Sequence, residues 1–313
     1  LDGLRVDAVK HVEEIATRNL SAAVREGFEQ AGTKYFLMGE TAMGWNDCAD
    51  PCNDENYGTI AKYVGPHGLD GQFDFVLYHG VSYRTFAYGE KGMLHADYWF
   101  SHGQSKWPAD AIMTPYIGSH DTPRFVSLAD YRGQDAQHPQ YIPSNQWSDI
   151  AEEPSDGEPY RRMRIAMSWL LTLPGAPLLY YGDEYGQYGG ADPNNRLMWK
   201  GTTGLKADEQ ATLDHIRALG QARQAIPALR RGSYTSLGAT EDTLVFARDT
   251  GTDVAIVALT RLPGGDSVNT NLAAYGLGGS TLSDAMGGPS VSVGPSGAAS
   301  FSIPGSGVVI LSP

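Results

Sequence analysis

The sequence predicts an α/β protein, built of βα units around a parallel sheet and followed by a smaller all-β segment. Two observations carry this. Up to about residue 231, short apolar runs alternate with longer stretches of helical periodicity, as they do where parallel strands are joined by helical crossovers. From Gly232 onward the texture changes to short alternating segments punctuated by Gly, Pro and Ser, as in an antiparallel β-sandwich. The 313 residues accommodate one large domain and one small one, with bounds read at 1–231 and 232–313.

Strand-like runs cover Gly3 to Ala8, Tyr35 to Gly39, Gln72 to Val76, Ile112 to Gly118 and Pro177 to Tyr181. Helical stretches are His11 to Gln30, Tyr78 to Tyr88, Glu158 to Leu173 and Asp208 to Ala225, with residues 93–106 as a further helix. In the third of these, Met163, Ala166, Met167, Leu170 and Leu171 recur at helical spacing, and Pro174 with Gly175 ends it. Between Asp130 and Gly157 the chain is polar and aperiodic, a long loop that either lines a site or is a disordered insertion. In the all-β segment, Thr243 to Arg248, Asp253 to Thr260 and a closing run, Gly307 to Leu311, read as strands.

Composition narrows the partners. The net charge of −13, with no basic patch, repels phosphate backbones and anionic lipid heads, which argues against nucleic acid and membrane surfaces. No apolar run approaches the roughly 20 residues that span a bilayer. A neutral partner such as a sugar fits this charge. Cys48 and Cys52, in CADPC, fit either a short disulfide loop of a secreted protein or two free thiols, and no second pair at ligand spacing supports zinc. The chain opens at Leu1, directly at a strand-like run, so a segment upstream of it is expected.

Three acids stand at the C-terminal ends of three strand-like runs: Asp7 in GLRVDAVKH, Glu40 in YFLMGE and Asp121 in YIGSHDTPR. In βα barrels that face holds the active site. Cleaving a glycosidic bond with retention needs one carboxylate as nucleophile and one carboxylic acid as proton donor, roughly 5–5.5 Å apart, and residues remote in sequence meet when they sit on neighbouring strand ends. Any one such acid is explained as a helix N-cap; three, each in its own motif, are not.

These motifs resemble those of the α-amylase family of glycoside hydrolases. GLRVDAVKH resembles the family's segment at the fourth barrel strand, YFLMGE the fifth, GSHDTPR the seventh and YYGDEYG the eighth. The resemblance implies that the chain supplies strands 4 to 8 of a (β/α)8 TIM barrel followed by a C-terminal antiparallel β-sandwich. It implies Asp7 as nucleophile, Glu40 as general acid and then base, and Asp121 as the group that holds the sugar's 2- and 3-hydroxyls. Arg5 lies two residues before Asp7, on the same strand face, and its charge is expected to keep Asp7 ionised. His120 resembles the family histidine on the same sugar, Lys10 and His11 the pair on the leaving-group side, and Asp192 with Arg196 a pair that binds glucose further along; for the last, a surface salt bridge is a nearly equal reading. Trp45, Tyr116 and Trp199 are candidates for stacking on sugar faces.

The resemblance further implies an α-1,4-glucan substrate, a secreted or periplasmic setting, and a structural calcium ion with the His11 main-chain carbonyl among its ligands. The pattern departs from the family in lacking strands one to three, a third-strand histidine motif and the inserted domain that gives most calcium ligands. An N-terminal segment of the same precursor is therefore the expected partner. Ser119 stands where chloride-dependent relatives carry Asn, so chloride activation is not expected. Transglycosylation uses the same acids, and a non-catalytic carbohydrate-binding relative is the alternative from another class.

Overall fold

The computed structural model describes residues 2–29, 33–48, 51–131 and 151–313. The chain divides into two compact units, one of Leu1–Gly80, Trp99–Tyr116 and Gly175–Pro177, the other of Val81–Tyr98, Ile117–Pro174 and Leu178–Pro313. This division follows contacts, whereas the expected partition at residue 231 follows secondary-structure type. The change of type falls where the helix Pro227–Arg231 gives way to a strand at Ser233.

In the first unit, β1 (Gly3–Val6), β2 (Phe36–Gly39) and β3 (Gly71–Gln72) run parallel in that order. The helix Glu14–Phe28 returns the chain from β1 to β2 and buries Thr17, Ser21 and Val24; Val24 packs with Val9, Leu37, Tyr63 and Leu69. Glycine is required at two positions of this sheet. A Cβ on Gly3 would lie 2.3 Å from the Phe36 carbonyl oxygen, and one on Gly71 would lie 1.8 Å from the Ile112 carbonyl oxygen.

Three of the expected strands are corrected. The third ends at Gln72, because the Asp74 carboxylate accepts from the Leu77 N–H at 3.0 Å and caps a helical turn, Phe75–Leu77, that takes up Val76. The run Ile112–Gly118 lies against β3 without forming a regular strand. Ile112 N–H donates to the Asp70 carbonyl and Thr114 N–H to that of Gln72, Thr114 forms an isolated parallel bridge with Phe73, and Pro115 then lacks the N–H that would continue the ladder. Ala176 N–H bonds the Met113 carbonyl, at 3.0 Å, but Pro177–Tyr181 is not a strand: the chain turns, with Asp183 N–H on the Tyr180 carbonyl.

Tyr78–Tyr88 is helical as expected but wound as a π-helix, and Met93–Lys106 is an α-helix. The helix Asp54–Ala61 went unread, lying in a stretch without an apolar stripe. Cys48 and Cys52 are joined in a disulfide. Most of the expected long loop, residues 132–150, falls outside the described residues.

The second unit holds the helices Phe125–Tyr131, Glu158–Thr172 and Ala207–Ala225 and the β-sandwich. Its strands are β4 (Ser233–Ala239), β5 (Thr243–Asp249), β6 (Val254–Thr260), β7 (Asp266–Asn271), β8 (Thr281–Asp284), β9 (Val291–Ser292), β10 (Ala298–Ile303) and β11 (Val308–Ser312). One antiparallel sheet has the order β4-β5-β6-β11-β8-β9, and β10 pairs with β7. Val245, Ile256, Val268, Leu282, Phe301 and Leu311 are among the side chains of the core. β6 is buried on both faces, one toward that core and the other in contact with the helix Glu158–Thr172. Arg248, fully buried, ties the two layers by donating to the carbonyls of Thr172, Leu229 and Gly232.

Candidate active-site residues

Parallel pairing of β1 with β2 sets Val6 opposite Gly39, so the residues just past each strand, Asp7 and Glu40, become neighbours. Main-chain bonds fix the junction: Glu40 N–H donates to the Val6 carbonyl at 3.0 Å, and Val9 N–H donates to that of Glu40 at 2.8 Å. Between them Ala8 takes a left-handed conformation, φ 48° and ψ 40°, uncommon for a residue with a side chain. It turns the chain out of β1 into the 3-10 turn Val9–His11 and aims its own N–H at Glu40 Oε2, 3.3 Å away.

Arg5 forks between the two acids. Its Nη1 donates to Asp7 Oδ1 at 2.7 Å and its Nη2 to Glu40 Oε2 at 2.6 Å. The acids differ in exposure: the Asp7 side chain is 73% accessible and that of Glu40 13%. Burial pushes the Glu40 carboxyl above the usual range, its hydrogen bond to the Asp7 carboxyl adds to this, and the Ala8 N–H and Arg5 pull the other way without cancelling it. Lys10 Nζ donates to the Ala42 carbonyl at 2.6 Å, and His11 is exposed at the end of its turn. Trp45 and Tyr116 are not sugar platforms: Trp45 is buried edge-on to Trp99, and Tyr116 is buried in a stack with Tyr78.

In the second unit the segment 119–122 carries His120 and Asp121. His120 Nε2 lies 3.0 Å from Asp121 Oδ2, and Arg196 reaches Asp121 Oδ1 at 3.3 Å and Asp192 Oδ1 at 2.8 Å. All four expected residues of this unit thus form one chain of contacts. What holds the segment is Asn195, which the sequence reading missed. Fully buried, it donates through Nδ2 to the carbonyls of His120 and Thr122, each at 2.8 Å, and of Ser119 at 3.4 Å. Arg124 in turn holds the Asn195 carbonyl at 2.8 Å and pairs with the buried Asp183 at 3.3 Å, its guanidinium stacked over Tyr180. Burial raises Asp183 to about 6 against the pull of Arg124. The signal available for Asn195 was two consecutive Asn between a proline and an arginine, in DPNNR. Trp199 is exposed, with Nε1 on Glu184 Oε1 at 2.6 Å.

No family model matches the chain. Among curated proteins it is 25% identical over 302 residues to an α-amylase of Niallia circulans, covering 95% of this chain and 48% of that protein. It is 23% identical over 304 residues to a cyclomaltodextrin glucanotransferase of Klebsiella oxytoca, covering 94% of this chain and 43% of that one. The chain is a relative of the α-amylase family. Its fold is that of the family's C-terminal portion, part of a TIM barrel followed by a β-sandwich. The solved α-amylase from Anoxybacillus superposes with a TM-score of 0.74 at 22% identity, over all of this chain and 59% of the other. The α-amylase of Geobacillus thermoleovorans, solved in complex with acarbose, gives 0.75 at 20%, over all of this chain and 60% of the other. The chain thus spans less than half the length of these two curated relatives of the family.

Among the described residues, no group of three or more His, Cys, Asp or Glu side chains is placed to hold a metal ion. Nor is any helix among them long and apolar enough to cross a membrane.

Proposed function

We propose that the chain carries the catalytic acids of a retaining α-glucan hydrolase that cleaves α-1,4-glucosidic bonds of starch or maltooligosaccharides. The observation that carries this reading is the Arg5 fork. Inverting pairs stand roughly 6.5–9.5 Å apart to admit a water, and retaining pairs roughly 5–5.5 Å. Two carboxyls that share one guanidinium fit the closer arrangement. Their unequal environments also divide the labour. Mostly buried and raised in pKa, Glu40 is the better suited of the two to give a proton, while exposed Asp7 is left open to attack the sugar carbon.

In the first step Asp7 forms a bond to C1 as the bond from C1 to the leaving oxygen breaks, and that oxygen takes the Glu40 proton. In the second, Glu40 takes a proton from water, whose oxygen displaces Asp7. Asp121 and His120 hold sugar hydroxyls, Asp192 and Arg196 a glucose further along, and Lys10 and His11 the leaving-group side. A calcium ion with the His11 carbonyl among its ligands belongs to the same proposal, its other ligands coming from an N-terminal segment of the precursor, and no step runs through it.

That segment, supplying barrel strands 1 to 3, is supported by the outer edge of β1, which pairs only with β2 among the described strands. Leu4 is exposed there, beside a cavity of about 320 Å3 lined by Asp2, Gly3, Leu4, Arg5, Phe36 and Met38. A secreted or periplasmic setting fits the Cys48–Cys52 disulfide.

Asp7→Asn in the complete protein should lower starch hydrolysis by at least about 10⁴-fold with the melting temperature unchanged; retained activity rejects the assignment. Glucanotransferases among the relatives favour transglycosylation as a second reading. Product analysis at high maltooligosaccharide concentration separates the two, since a hydrolase gives shorter products only and a transferase gives longer or cyclic ones.

A further inference from the structure

Apart from these acids, the second unit contains a cavity of about 330 Å3 lined by the helix Glu158–Thr172, the end of the π-helix and the edge of the sandwich. Three guanidiniums line it, Arg161, Arg162 and Arg261, against two carboxylates, Glu158 and Asp242. In a chain of net charge −13 this is a local reversal of sign.

Each arginine is engaged on part of its fork. Arg161 places Nε and Nη2 on Glu158 Oε2, at 3.0 and 2.7 Å. Arg162 places Nε on Glu158 Oε1 at 2.9 Å and Nη1 on the Ala87 carbonyl at 2.8 Å. Arg261 gives Nη1 to the carbonyls of Thr85 and Lys91, and Nη2 to the Glu241 carbonyl and to Asp242. Among the described residues, Arg161 Nη1, Arg162 Nη2 and Arg261 Nε remain without an acceptor, and the last is buried, a condition that calls for one.

Gly89 brings two of the cations together. A Cβ there would lie 3.3 Å from Arg162 Nη1 and 4.0 Å from Arg261 Nη1, so both guanidiniums crowd a residue with no side chain to part them. Like charges so arranged favour an anion, and guanidinium forks match planar or tetrahedral oxyanions.

We propose that this cavity binds a small molecule bearing one phosphate or carboxylate group, held by Arg161, Arg162 and Arg261. The test is calorimetric titration of the full chain with sodium phosphate and, separately, sodium acetate, against sodium chloride at equal ionic strength. The expected result is saturable one-to-one binding of at least one of the two oxyanions, and which one binds tells the group. It should weaken by about tenfold or more in Arg161→Gln, whose exposed guanidinium anchors no main chain, and be unchanged in Arg217→Gln, on another helix. Binding of neither oxyanion, or equal binding in Arg161→Gln, overturns the proposal. Because neither variant touches Asp7, Glu40 or Asp121, failure here leaves the proposed hydrolysis standing.

Discussion

Asp7 and Glu40 share one cation across two strand ends, whereas Asp121 rides on a main-chain segment pinned from beneath by the buried amide of Asn195. In the first group the bonds run between ionisable side chains, and Asp7 and Arg5 pull the proton affinity of Glu40 in opposite directions. In the second, the bonds that hold the main chain run from an amide to carbonyls and fix position. Under the proposed hydrolysis, the groups that move protons are tuned by charge and the group that holds hydroxyls is served by rigidity.

Breaking the second group should therefore cost stability first. Asn195→Ala takes the amide donor from the carbonyls of residues 119, 120 and 122, and among the described residues that of Thr122 has no other, so urea unfolding should show a loss of roughly 1–3 kcal/mol. Unchanged stability would mean that the amide is incidental.

The first group should respond in its pH dependence instead. Arg5 lowers the proton affinity of Glu40, so Arg5→Gln should raise it further and move the alkaline limb of the pH–rate profile to higher pH. Stability should change little, because the Arg5 side chain is partly solvent-exposed. A limb that stayed in place or moved down would break the contrast.

A smaller effect sharpens it. Asp74 is buried and has, among the described residues, no cation like the one Arg124 gives Asp183, and burial raises it from the usual range to about 7, against the pull of the Leu77 N–H. A carboxyl raised on folding contributes stability that is full below its unfolded pKa, near 3.8, and lost as pH rises through about 7. Asp74→Asn mimics the protonated form, so its melting temperature relative to the parent should be higher at pH 8 than at pH 4. Equal differences at the two pH values would contradict the burial argument.

Much of this was legible in the sequence, and the failures have physical causes. β1 and β2 were found within two residues, because apolar alternation and a following acid mark a strand end. The helix Glu158–Thr172 was found within one residue, because its apolar spacing is long and Pro174 stops it. The third strand was overread because Asp74 caps a turn inside an apolar run, where short runs fit strand and helix alike. Pro115 and Pro177 disguised the next two, since both sit in strand-like runs but cannot donate to a ladder. For the site, Arg5 beside Asp7 was visible from the alternation of side chains, but its second bond, to Glu40 35 residues on, depends on the β1–β2 register. Asn195 was missed for the same reason: its partners lie more than 70 residues away.

The division of labour between Asp7 and Glu40 is tested most directly by trapping the covalent intermediate. Glu40→Gln in the complete protein, given an α-maltosyl fluoride whose leaving group needs no proton, should react once and then stall for want of a base. Peptide mass spectrometry of the quenched protein should find the glycosyl group on Asp7. Its attachment to another residue, or its absence while fluoride is released in steady turnover, would contradict the account.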